Sequence, residues 1–88
     1  MGEVAVLFRL MPKEVSTDLK AVAEGVKGAV PAGVRLRGMQ VKDIAFGLRA
    51  LLVSVVMSDA GGILETTETA FRGLPGVESV EVLEEGLL

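Results

Sequence analysis

Few side chains in this sequence are equipped for covalent or metal chemistry. There is no Cys, His, Trp or Tyr, which excludes thiolate and imidazole zinc sites, disulfides, cysteine nucleophiles and His-based triads. General acid–base work would fall to Asp, Glu or Lys, and these are scattered. Glu84-Glu85 are adjacent near the C-terminus, where such a pair is more often a solvated tail than a site for a hard cation. Gly61-Gly62 stands at the start of a helical pattern and could hold an anion on free N–H groups. The plainer reading is a flexible turn. No G-x-G-x-x-G occurs, and no Gly-Lys-Ser or Gly-Lys-Thr closes a P-loop. These residues support no catalytic assignment, no metal ligand and no cofactor.

One run is placed against the usual chemistry of turns. Lys42-Asp43 is followed by Ile44-Ala45-Phe46-Gly47-Leu48, between two segments that read as strands. A strand connection normally uses polar turn formers, yet this one carries an isoleucine and a phenylalanine near its tip. Two readings stand. Phe46 folds back over the end of the core, or it is an exposed aromatic anchor for a protein partner, since a few buried aromatics commonly dominate interface energy.

The elements that position this run follow from periodicity. Glu3 to Met11 alternates, with Val4, Val6, Phe8 and Leu10 on one face, and Pro12 is expected to stop the ladder. A helix follows, capped by Ser16 or Thr17, with Asp18 in its first turn and Leu19, Val22, Ala23, Val26 and Val30 at helical spacing. Pro31 to Gly33 ends it. Val34 to Asp43 is a strand whose apolar parity changes between Leu36 and Met39, which predicts a β-bulge at Gly38. Its Arg35, Arg37 and Lys42 suit a sheet edge. Leu48 to Met57 is apolar on both faces and reads as a central strand, with Leu52 and Val56 facing solvent or a partner.

Asp59-Ala60-Gly61-Gly62 turns the chain into a second helix. There Leu64, Thr67, Phe71 and Leu74 form the buried stripe and Glu65 and Glu68 face water. Leu74-Pro75-Gly76 terminates it. Val77 to Leu83 is the last strand, before a tail of Glu84 to Leu88. The order βαββαβ predicts an α+β, ferredoxin-like sandwich: a four-stranded antiparallel sheet with two helices on one face. The 88 residues, 50% of them apolar and 24% charged, fit one soluble domain with a single core. A net charge of −3, only three aromatic residues and no dense basic stripe argue against direct nucleic-acid binding. The N-terminus shows no export signal and no apolar run approaches spanning length. A cytoplasmic, membrane-free protein is expected.

The run IAFGLRALLVSVV, with the opening MGEVAVLFRLMP and the closing GLPGVESVEVLE, resembles the archaeal translation elongation factor 1-beta family. Members are guanine-nucleotide exchange factors of elongation factor 1-alpha. The resemblance spans essentially all 88 residues, and the Ile44 to Leu51 segment is its specific part. It implies a single exchange domain, residues 1–88, that binds the GTPase, loosens GDP and its magnesium ion, and leaves when GTP returns. It implies no bond chemistry and no cofactor of its own. It places Ile44, Phe46, Gly47 and Leu48, with the basic Arg49, in the turn that contacts the partner. Eukaryotic relatives carry a lysine close to the C-terminus near the magnesium site, and Glu84 to Leu88 contain none. The alternative is a free-standing ferredoxin-like module that senses a small ligand, because fold alone does not fix function. An acylphosphatase-type enzyme would need glycines and an arginine in the loop after the first strand, where Met11 to Val15 supply neither.

Overall fold

The computed structural model describes residues 2–59 and 61–88. Its elements run β1 (Glu3–Pro12), α1 (Leu19–Ala29), β2 (Val34–Ala45), β3 (Leu48–Ser58), α2 (Ile63–Arg72) and β4 (Val77–Leu87). They form one four-stranded sheet in the order β2-β3-β1-β4, antiparallel throughout. That is the α+β ferredoxin-like arrangement the element order predicts. Ala60, within the predicted turn into α2, lies outside the described residues, as does Met1.

The alternation in β1 sets the core. Val4, Val6, Phe8 and Leu10 are buried on the helix-bearing face, and Leu51, Val53, Val55 and Met57 of β3 join them there. From the helices come Leu19, Val22 and Val26 of α1 and Phe71 of α2. The rings of Phe8 and Phe71 meet edge to face, with centroids 5.3 Å apart, the arrangement favoured by the aromatic quadrupole. Thr67, fully buried on α2, is satisfied because its hydroxyl donates to the carbonyl of Ile63 at 2.8 Å.

Several boundaries differ from the sequence reading. The N-cap of α1 is Asp18, whose backbone is extended and whose carboxylate accepts from the N–H groups of Lys20 and Ala21 at 3.0 and 3.4 Å. Thr17 instead closes the preceding loop, its hydroxyl accepting from the Glu14 N–H at 3.1 Å. Pro12 belongs to β1 and pairs opposite Val77 after a register shift; a proline is tolerated at a strand end, where no ladder donor is required. The bulge in β2 falls between Leu36 and Gly38, so Arg37 is the extra residue. Glu68 is half-buried rather than facing water freely, with Arg72 bonded to it at 3.3 Å.

Two larger corrections concern the uncovered face and the C-terminus. Val56 is buried at 3% exposure, and only Leu52 of the predicted outward pair is half open. Val56 lies between Ala5 of β1 and Arg35 of β2 in the ladder. Arg35 reaches Glu3 at 2.8 and 3.3 Å, so this pair links β2 to β1 across β3 at the level of Val56 and Ser58. Glu84 to Leu87 are strand rather than tail. A register shift leaves Leu83 unpaired, after which Glu84, Glu85, Gly86 and Leu87 pair with Leu7, Val6, Ala5 and Val4.

Candidate partner-binding hairpin

The β1–β3 ladder ends at Leu10 opposite Leu51, but the β2–β3 hairpin continues through Lys42–Ala50, Asp43–Arg49 and Ala45–Leu48. The tip therefore projects past the last β1–β3 pairing. A second register shift, between Asp43 and Ala45, leaves Ile44 as an extra residue, and bulges of this kind increase local twist and re-aim side chains. Ala45 and Leu48 close a loop of two residues, Phe46 and Gly47, with φ of +53° and +79°. Positive φ at both central positions defines a type I′ turn, the connection whose twist matches a hairpin.

Gly47 is suited to its position, but Phe46 is not. First central positions of such turns favour Asn, Asp or Gly, and a bulky residue at positive φ is an outlier. Phe46 is the sole non-glycine with positive φ among the described residues, and its side chain is wholly exposed, at 102%. The reading in which Phe46 folds back over the core is thereby excluded. An exposed aromatic and a left-handed backbone each cost free energy, and neither is repaid by packing within this chain. Backbone outliers of this kind concentrate at functional sites.

The remaining residues expected at this site lie on the same hairpin. Ile44 is 38% exposed, Leu48 is half-buried and Arg49 is exposed. Among the described residues the ion pairs are Arg9–Glu81, Lys27–Glu24, Arg35–Glu3 and Arg72–Glu68, and Arg49 belongs to none of them. The tip thus combines apolar side chains with a cation, Arg49, that stands opposite Asp43 in the ladder without closing an ion pair. Two exposed apolar residues near it escaped the sequence reading: Val15, before α1, at 66%, and Val41, on β2, at 47%. The parity of Val41 after the bulge places it on the helix-bearing side, opposite Leu51, where it stays exposed.

Titration is perturbed elsewhere, at the Arg35–Glu3 pair on the uncovered sheet face. The hydrogen bond from Arg35, and then its charge, hold the Glu3 carboxyl below its ordinary value, while Glu3 raises Arg35 by the same two causes. No group of three or more Asp or Glu among the described residues is placed to hold a metal ion. Glu84 and Glu85 sit opposite Leu7 and Val6 on alternating sides of β4, so they do not converge on one point.

Comparison with known proteins agrees with this architecture. Residues 5–87 match the family model described as the EF-1 guanine nucleotide exchange domain. The chain is 46% identical over 85 residues to elongation factor 1-beta of Methanosarcina mazei, covering 96% of each chain. The chain belongs to the elongation factor 1-beta family. Elongation factor 1-beta of Halorubrum lacusprofundi is 41% identical over 88 residues, the full length of both chains. Among solved structures, the ACT domain from GTP pyrophosphokinase of Chlorobium tepidum superposes with a TM-score of 0.64 at 15% identity, covering 92% of this chain and 99% of that one. The C-terminal domain of the MgtC protein from Mycobacterium tuberculosis gives 0.58, also at 15% identity, covering 99% of this chain and 88% of the other. Likeness at that identity shows a shared ferredoxin-like fold and does not carry a function from those domains to this elongation factor 1-beta family member.

Proposed function

We propose that this protein promotes exchange of GDP for GTP on elongation factor 1-alpha during protein synthesis. In this reading residues 1–88 act as one exchange domain in the cytoplasm, and Ile44, Phe46, Gly47, Leu48 and Arg49 contact the GTPase. The observation that carries it is Phe46, fully exposed at the apex of a projecting hairpin on a backbone that disfavours it. Membership of a family whose model is described as the EF-1 guanine nucleotide exchange domain supports elongation factor 1-alpha as the partner.

Exchange needs no bond chemistry from the factor. A protein that binds the nucleotide-free GTPase more tightly than the GDP-bound form weakens GDP binding by the same factor, since coupling between two ligands is reciprocal. A rigid scaffold suffices, because the partner supplies the two conformations whose populations shift. The sheet holds the hairpin, the I′ turn fixes the direction of Phe46, and Arg49 adds a charge beside it. A ring seated in a partner pocket is the kind of contact that dominates interfaces.

Titration of the protein onto elongation factor 1-alpha, with and without GDP, tests this. Tighter binding to the nucleotide-free form, with a matching loss of GDP affinity when the factor is bound, supports the reading. Equal affinity for the two forms, or no binding, refutes it.

A further inference from the structure

The charges of the chain are divided between two halves of the fold. Residues 13–50, which hold α1, β2 and the hairpin, contain seven Lys or Arg against four Asp or Glu. Residues 59–88, which hold α2 and β4, contain one Arg against seven Asp or Glu. The segment that forms α1 and the hairpin is thus net basic in an acidic protein; of its cations, Lys27 and Arg35 are ion-paired and Arg37 lies on the uncovered sheet face with Leu7 and Leu52.

On the helix-bearing face an open groove of about 780 Å³ runs between α1 and the hairpin. Its sheet wall is Met39, Val41 and Leu51, and Val15 and Leu19 add apolar surface from the α1 end. Lys20 and Arg49 stand on its rim, and neither joins an ion pair among the described residues. Asp18 also lines it, but its carboxylate is turned to the Lys20 and Ala21 N–H groups as the helix cap. The groove and the Phe46 tip share one wall, since Val41 and Arg49 are hairpin residues only a few rungs below the turn.

We propose that this groove receives an acidic segment with apolar side chains from the same GTPase that the tip contacts, as a second part of one interface. The inference rests on the proposed function, and it adds a place and a chemistry of recognition. The groove lining carries Lys20, Lys27 and Arg49 against the one carboxylate of Asp18, with Lys27 paired to Glu24 and Arg49 opposite Asp43, and this net positive charge around an apolar floor is complementary to carboxylates flanking an aliphatic side chain. Single-stranded nucleic acid fits less well, because the groove offers no aromatic ring for base stacking.

The test compares Lys20→Glu and Val41→Asp in the groove with Arg72→Glu, which makes the same charge change on the acidic half. Affinity for nucleotide-free elongation factor 1-alpha is measured at about 0.05, 0.15 and 0.5 M salt, where screening grows progressively. The expected result is a loss of about ten-fold or more for Lys20→Glu, largest at low salt. Val41→Asp is expected to lose a similar amount with weaker salt dependence, and Arg72→Glu to change less than about two-fold. Thermal unfolding of each variant identifies any loss that comes from misfolding, and Lys20, exposed on a helix, provides the second variant should Val41→Asp misfold. Wild-type affinity in Lys20→Glu while Phe46→Ala binds weakly would overturn the groove assignment and leave the proposed function standing. No binding by the unaltered protein would overturn both. Displacement of the GTPase from the groove by RNA, lost in Lys20→Glu, would also overturn the assignment, because the occupant would then be a nucleic acid.

Discussion

Replacing Phe46 should separate folding from function, because the residue contributes to one and detracts from the other. Its ring is fully exposed in the free protein, so truncation to Ala removes no internal contact and should change stability by less than about 0.5 kcal/mol. Phe46→Asn goes further. Left-handed backbone costs a bulky residue roughly 1–2 kcal/mol, and Asn before Gly47 is the preferred sequence for a I′ turn. Recovery of about 1 kcal/mol would raise the melting temperature of a domain this size by about 4–8 °C. Binding should move the other way. A Phe ring offers roughly 150–250 Å² for burial, worth about 4–6 kcal/mol at 25 cal/mol per Å². Side-chain ordering and the retained Cβ reduce this to a loss of about 2–4 kcal/mol on truncation, roughly 30- to 700-fold in affinity. Urea titration paired with stimulated release of a fluorescent GDP analogue reads both quantities. A stability loss of about 3 kcal/mol or more would show that Phe46 is packed, and unchanged GDP release would show that it is not the anchor. Either result refutes the reasoning.

Three further outcomes test the scaffold. Phe71→Ala removes a wholly buried ring and its edge contact with Phe8, and should cost about 3–5 kcal/mol in chemical denaturation, a large fraction of the roughly 5–13 kcal/mol expected for a domain this size. Asp18→Ala deletes the cap of α1 and should cost about 1 kcal/mol, whereas Ser16→Ala should cost little. The Glu3 carboxyl is held below its ordinary 4.5 by Arg35, so its contribution is present above that value and is lost as pH falls through the lowered folded value. A small acid-side decline in unfolding midpoint should therefore shrink in Arg35→Met, and an identical decline in both proteins would count against it.

How much of this was legible in the sequence depends on what each element needed from distant parts of the chain. The faces of β1 and the stripe of α2 are local patterns, and Val4, Val6, Phe8, Leu10, Thr67 and Phe71 are buried as their spacing implies. The parity change in β2 announced its bulge to within a residue. The burial of Val56 was not legible, since its ladder neighbours, Ala5 of β1 and Arg35 of β2, come from strands far from it in the chain. Nor was the full length of β4: its acidic residues read as solvated tail, while the edge position that lets Glu84 and Glu85 remain in water is a property of the sheet order. Asp18 caps α1 because its carboxylate accepts from Lys20 and Ala21, while the Thr17 hydroxyl is taken by the Glu14 N–H in the loop. At the hairpin the sequence showed an apolar tip between strands but left the direction of Phe46 open. The φ of +53° that points it outward comes from the I′ turn, and Phe is not a residue that signals one.

The most direct test of the central claim is release of labelled GDP from elongation factor 1-alpha, chased with excess unlabelled nucleotide at rising concentrations of this protein. The account predicts a saturable acceleration of release that Phe46→Ala reduces without loss of folding. A release rate that stays at its intrinsic value at every concentration of folded protein would contradict it.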